Sequence, residues 1–196
     1  VVSVVGTAPI ERIDIVRGLD EVFSYPEDPK RSSDRVRIAW SGQRIRARNR
    51  LARWDGSLTL EGGRLRDVVG YAFDSASEGI ADWEHQKIEW TSVTTGDADG
   101  VAFTIDGSDD ATIDFQTPIV SRSVKLGRLK MGPVTVDAGG VDMKVVFEME
   151  PKGVGREATV RFRDSDVPAG THPYWIRVVQ TDGSKAWVSP FYVTLS

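Results

Sequence analysis

Apolar side chains recur at every second position from one end of this chain to the other. Ile13 and Ile15 alternate with Arg12 and Asp14, Val36, Ile38 and Trp40 with Arg37 and Ala39, and Leu58 and Leu60 flank Thr59. The same period returns at Val101, Phe103 and Ile105, at Ile113 and Phe115, at Val134 and Val136, at Met143 to Met149, and at Ala158, Val160 and Phe162. A strand points successive side chains to opposite faces, so each run reads as a strand with one buried face and one wet face. The last two runs are Tyr174 to Gln180 and Trp187 to Leu195.

Turn chemistry separates the runs. "EGGR" at 61–64, "GDADG" at 96–100, "DGSDD" at 106–110, "DAGG" at 137–140 and "TDGSK" at 181–185 combine Gly, which accepts positive φ, with Asp, which bonds its own backbone. About a dozen short strands joined this way predict an all-β fold, an antiparallel β-sandwich of Ig-like or jelly-roll-like type with little helix. The one helix candidate is Ser75 to His85, where Ser75 and Glu78 fit a capping box and Gly79 weakens it. The segments 24–34 and 150–157, rich in Pro, Gly and charge, look like boundaries or long loops.

With 196 residues, a 40% hydrophobic fraction and 28% charged residues, the chain can bury a core and resembles ordinary globular proteins. It has no cysteine, so disulfides, thiolate metal sites and cysteine nucleophiles are excluded. No apolar run approaches the roughly 20 residues of a membrane span. The opening "VVSVVGTAPIERID" has no Met and lacks the basic start and apolar centre of a signal peptide, and the chain reads as a piece of a longer protein. A net charge of -4 argues against a general nucleic-acid binder. That charge is unevenly spread, because residues 30–66 carry eleven Lys and Arg, whereas residues 67–116 carry Lys87 as their single Lys or Arg. Two such blocks are expected to share a sheet or face each other.

Arg44, Arg46, Arg48 and Arg50 occupy alternate positions, so a strand there would project four guanidinium groups from one face, with Ile45, Ala47 and Leu51 on the other. Such a row suits a phosphate, a sulfated glycan or an acidic partner; the competing reading is a solvated face paired with the following acidic block. Asp97 and Asp99 in one acidic turn, with Asp109 and Asp110 in the other, are weak candidates for calcium, but neither turn has EF-hand spacing or a closing Glu. Ordinary hairpin turns are the better reading, and no metal or cofactor is expected. His85 and His172 lie far apart in sequence and read as structural. Neither a nucleophile elbow nor a Gly-rich phosphate loop is present. Six tryptophans are the strongest hint of binding. Most must pack in the core, as the phase of Trp40 with Val36 and Ile38 implies, but Trp54, Trp83 or Trp175 could form a flat platform for sugar rings.

The segments "IERIDIVRG", "RWDGSLTLEGGRL" at 53–65, "WTSVTTGDADGV" at 90–101 and "YWIRVVQTDGSKAWVSPFYV" at the end together resemble the C-terminal region of the bacterial domain-of-unknown-function family 3604. The most specific element is the last, carried by Tyr174, Arg177, Val178, Gln180, Asp182, Gly183, Ala186, Trp187, Ser189 and Pro190. Longer members of that family resemble PHP-type metal-dependent phosphoesterases in their N-terminal part. The resemblance implies a bacterial, β-rich C-terminal part of a larger protein, periplasmic, secreted or cytoplasmic. It transfers no catalytic residue. It also implies that both chain ends form one sandwich, 1–40 with 135–196, around an inserted layer or subdomain, 41–134.

Three readings of function follow. The first is a non-catalytic accessory domain that packs on or orients a neighbouring catalytic domain of the same polypeptide, or serves homo-oligomerisation. The second is a carbohydrate-binding module using exposed tryptophans. The third is a hydrolase built on a carboxylate pair.

Overall fold

The computed structural model describes residues 1–46 and 48–195. It is 65% strand and 4% helix, an all-β fold of antiparallel sheets of the sandwich type. The chain divides into two compact units, residues 1–31 with 151–196, and residues 32–150. The divisions fall inside the Pro- and Gly-rich segments 24–34 and 150–157, not at 40 and 135. The reason is that the two strands reaching those outer positions, Arg31–Gln43 and Val141–Pro151, are unbroken and belong to the second unit along almost their whole length.

Strands are numbered in chain order. The first unit holds β1 (Val2–Val5), β2 (Ile10–Arg17), β3 (Asp20–Tyr25), β14 (Glu157–Val160), β15 (Gly170–Gln180) and β16 (Lys185–Leu195). Four of these form a sheet in the order β16-β15-β2-β3, and β1 pairs with β14. Ile10, Ile13, Val160 and Val178 form the buried centre, with Val2, Val4, Phe23 and Tyr25 packed around it. The β15–β16 turn carries Asp182 and Gly183, with Asp182 Oδ1 accepting from Ser184 N at 3.0 Å and Gly183 at φ 89°. Pro190 lies in a break of the β15–β16 register between Tyr174 and Ile176, on the outermost strand, where a missing N–H costs least.

Period-two logic assigns Asp14 to the wet face of β2, and the structure overturns this, because Asp14 is fully buried. Asp14 Oδ2 accepts from Arg177 Nε at 2.8 Å and pairs with Arg12 Nε at 3.1 Å, while Ser24 Oγ donates to Oδ1 at 2.8 Å. Registers place Ser24, Asp14 and Arg177 side by side across three strands. Side chains with partners this complete remove a carboxylate from water without leaving it unpaired.

The second unit holds β4 (Arg31–Gln43), β5 (Ala52–Arg53), β6 (Gly56–Tyr71), β7 (Gly79–Glu84), β8 (Lys87–Thr91), β9 (Val93–Thr94), β10 (Ala98–Gln116), β11 (Ser121–Lys125), a short helix α1 (Leu126–Lys130), β12 (Val134–Asp137) and β13 (Val141–Pro151). Its main sheet runs β12-β13-β4-β10-β6-β8-β7, with β11 also on β10. The core is threaded by aromatics: Trp40 stacks on Trp90 with centroids 4.8 Å apart, Trp90 on Phe115 at 5.3 Å, and Phe115 meets Phe147 edge-on at 5.4 Å.

Three local expectations change here. Ser75 to His85 is not a helix; Ser75 to Glu78 make a turn and Gly79 begins β7. The segments 61–64 and 106–110 are not hairpin turns but interior stretches of β6 and β10, which pair with each other. Their glycines permit a close crossing: a Cβ on Gly107 would lie 3.0 Å from Gly62 O and 3.1 Å from Gly63 Cα. The register breaks between Gly107 and Thr112, and the buried positions of β6 switch parity there, from Leu58 and Leu60 to Leu65. The basic and acidic blocks do share this sheet, since β4 and β6 flank β10. Yet the carboxylates that meet β4 come from β13: Arg37 Nη2 lies 2.7 Å from Glu148 and Arg35 Nε 2.6 Å from Glu150.

Removing Arg177 exposes the asymmetry of the buried pair. Arg177→Ala leaves the Asp14 charge buried against Arg12 alone and is expected to cost about 3 kcal/mol in chemical denaturation. Asp14→Ala leaves two guanidinium groups that can reach water, and is expected to cost clearly less in the same measurement.

Candidate functional site

The four arginines of residues 44–50 do not form a strand face. β4 ends at Gln43, and the chain then bends, closes Arg44 N onto Arg50 O at 3.0 Å, and makes a short 3-10 turn at Arg48–Arg50. Asn49 and Arg50 have φ of 56° and 55°, a conformation that breaks two-residue alternation and that Asn adopts more readily than most residues. Ile45 and Leu51 are exposed, so neither supplies a buried face behind a guanidinium row. Ala47, placed on that opposite face by the sequence pattern, lies outside the described residues. Arg44 and Arg46 instead line a recess of about 330 Å³ with Ile45, Ile119, Ala138, Gly140 and Met143.

The tryptophan candidates separate. Trp54 is fully buried, donating from Nε1 to Thr94 Oγ1 at 2.8 Å, and offers no platform. Its burial follows from the β5–β9 pairing next to it, a two-residue bridge too short to signal itself in sequence. Trp83 is 42% exposed and lines a recess of about 640 Å³ with Arg64, Glu84, His85 and Gln86. Trp175 is 37% exposed on the other unit. His85 and His172 fall in different units; His172 Nε2 lies 2.9 Å from Pro168 O.

The first unit carries an apolar surface that the sequence reading missed. On β16, Trp187, Val188, Phe191, Tyr192 and Leu195 are all exposed. The register puts Val188, Phe191 and Leu195 on the face of Tyr174 and Ile176, and Trp187 and Tyr192 on the opposite face, so this edge strand is apolar on both sides. Beside it, a groove of about 380 Å³ is lined by Ile15, Phe162, Tyr174, Ile176, Phe191 and Leu195 among others. Val2 of β1 and Ile176 pack against the Ile13–Val178 centre and also line this groove. Its polar end is saturated, since Asp164 Oδ2 accepts from Tyr174 Oη at 2.8 Å and from Arg17 Nη1 at 3.0 Å. Burial, then the hydrogen bond to Asp164, pushes the Tyr174 phenol up.

The acidic turns also part. Asp109 pairs with Lys130, and Asp110 with Lys125 at 3.0 Å, as surface ion pairs. Asp97 Oδ1 accepts from Thr95 N at 2.5 Å. Asp99 is fully buried inside β10, and its Oδ2 accepts from Ser92 Oγ at 2.6 Å, which itself accepts from Trp40 Nε1 at 2.7 Å. Its Oδ1 has no donor among the described residues, and neither does the buried Oε2 of Glu78. Burial pushes Asp99 up to about 7, opposed by Ser92 and reinforced by Glu78, Asp97 and Asp74. Burial also raises Glu78, with Asp74, Asp97 and Asp55 adding to it. Glu78 closes the turn that precedes β7 and caps no helix. Among the described residues, no three His, Asp or Glu side chains converge as a metal site.

No family model matches the sequence, and no curated protein or solved structure matches it. No helix among the described residues is long and apolar enough to cross a membrane.

The Asp99 proton ties stability to pH with a definite sign. Its folded value lies above the ordinary 3.8, so the folded state holds more protons, and this group's contribution is full below pH 3.8 and is lost as pH rises toward about 7. Thermal midpoints of the wild type should therefore fall relative to those of Asp99→Asn as pH rises through that window. A constant difference between the two would mean that Asp99 ionises normally.

Proposed function

We propose that this chain is a non-catalytic accessory β-domain of a larger protein, and that the β16 edge with its adjoining groove receives a neighbouring domain of the same polypeptide. The observation that carries the reading is the set of five exposed large apolar side chains on one outermost strand. Apolar side chains exposed on both faces of an edge strand, one of them continuous with an apolar groove, mark an interaction site. An outermost strand also offers unpaired backbone groups on its free side, and its neighbours in the groove are apolar, so a partner gains both ladder hydrogen bonds and burial. The motif resemblance supplies the neighbour in this reading: a PHP-type metallophosphoesterase-like region, with the chemistry residing there.

The test is reconstitution from separately expressed parts of the parent protein. The wild-type chain is expected to bind the remaining part, and a Trp187→Ser, Tyr192→Ser variant to lose most of that binding while keeping its thermal midpoint, because both side chains are exposed. Self-association of the chain by the same surface would replace the neighbouring domain with a second copy. Phosphomonoester or ester turnover by the purified chain, abolished by one substitution within it, would overturn the reading.

A further inference from the structure

The recess beside Trp83 belongs to the second unit and has no part in the β16 surface. It is built on the turn between β7 and β8. That turn is held by backbone on both sides of the break in β6, with Leu60 N donating to Gln86 O at 2.9 Å and Leu65 N to His85 O at 2.7 Å. The turn is thus anchored on a strand whose side chains Leu60 and Leu65 are core, which gives its outward groups a firm base.

Trp83 sits opposite Ile88 on the outermost strand of the sheet. Ile88 is fully buried, and the other three tryptophans of this unit, Trp40, Trp54 and Trp90, are at most 2% exposed. A tryptophan left 42% exposed at this edge keeps a large part of its indole in water, open to a ligand. Around it stand Arg64, Glu84, His85 and Gln86, all exposed, and among the described residues none of these side chains is engaged in a hydrogen bond or ion pair.

The chemistry of this group is selective. Arg64 and Glu84 carry opposite charges, so the recess has no excess of either sign to attract a phosphate or an acidic chain. Arg64 only donates, the Glu84 carboxylate only accepts, and the Gln86 amide does both. Hydroxyl groups, which also do both, match such a mixed set better than any single charged group. The aromatic face takes an apolar surface, and the C–H face of a sugar ring supplies one directly beside its hydroxyls. The volume of about 640 Å³ lies within the range of small-ligand sites.

We propose that the recess formed by Trp83, Arg64, Glu84, His85 and Gln86 binds a sugar residue of a neutral glycan, with the ring stacked on Trp83 and its hydroxyls bonded by Arg64, Glu84 and Gln86. Trp83 provides most of the contact area, and the three polar groups set which hydroxyl geometry fits.

Native affinity electrophoresis in gels containing xylan, β-1,3-glucan, galactomannan or hydroxyethylcellulose, with a glycan array carrying neutral and acidic sugars, tests this. Retardation by at least one neutral glycan is expected, weakened about tenfold or more by Trp83→Ala and less by Arg64→Ala. Trp175→Ala, on the other unit, should leave it unchanged. Because Trp83 lies at an exposed edge, its variant should keep the wild-type thermal midpoint, and Trp83→Phe should restore part of the retardation if the fold is intact. No retention of wild type by any neutral glycan overturns the proposal, as does retention by acidic sugars alone or retention that survives Trp83→Ala.

Discussion

The first unit depends on one buried charge. Asp14 has no access to water, and it is tolerable there because Arg12, Arg177 and Ser24 supply donors. Two of these partners are local, but Arg177 lies 163 residues away in sequence. The carboxylate therefore joins the beginning of the chain to its end, and a register slip of one residue between β2 and β15 would strand it. The hydrophobic row beside it, Tyr25, Ile13 and Val178, follows the same register and provides the burial. Apolar pairing alone tolerates neighbouring registers of the same parity, whereas a buried carboxylate with a distant guanidinium specifies one.

The second unit uses a different device. Two long strands, β6 and β10, cross closely where glycines face each other, and the register break there lets both continue as strands while the buried side of β6 changes and that of β10 is kept. Around this frame the indoles do more than fill space. Trp40, Trp54 and Trp90 each donate their N–H to a buried acceptor, namely Ser92 Oγ, Thr94 Oγ1 and Trp54 O. Ser92 passes the chain of hydrogen bonds on to Asp99, so the raised Asp99 carboxyl is a consequence of how the aromatic core satisfies its polar atoms. A buried network of this kind specifies side-chain positions through its satisfied members, and the raised Asp99 carboxyl is the one whose protonation changes it.

The two surfaces left over differ in kind. The β16 edge is apolar and extended, suited to a protein partner, whereas the Trp83 recess is concave, mixed in polarity and charge-balanced, suited to a small neutral group. A single chain can carry both, because the sandwich cores need neither. Exposed tryptophan acquires meaning only against this background: of the six, the buried three have their N–H groups committed inside the core, and Trp83, Trp175 and Trp187 are the ones left exposed.

Much of this was legible from residue order. Alternation at Val36 to Trp40, Val101 to Ile105 and Met143 to Met149 determined strands with defined buried faces, and the Asp182–Gly183 turn and Pro190 determined a terminal hairpin with an irregular outer strand. These properties depend on neighbours two to four residues apart, which a sequence displays directly. What the tertiary structure alone decided depends on residues far apart. It buried Asp14 by bringing Arg177 to it and set Glu78, an apparent helix cap, in the turn before β7. It drew the glycines at 61–64 and 106–110 into a strand crossing instead of two turns, and sent Trp54 inward while leaving Trp83 and Trp187 outside. In each case the residue's own chemistry permits both outcomes, and only the partner supplied by the fold selects between them.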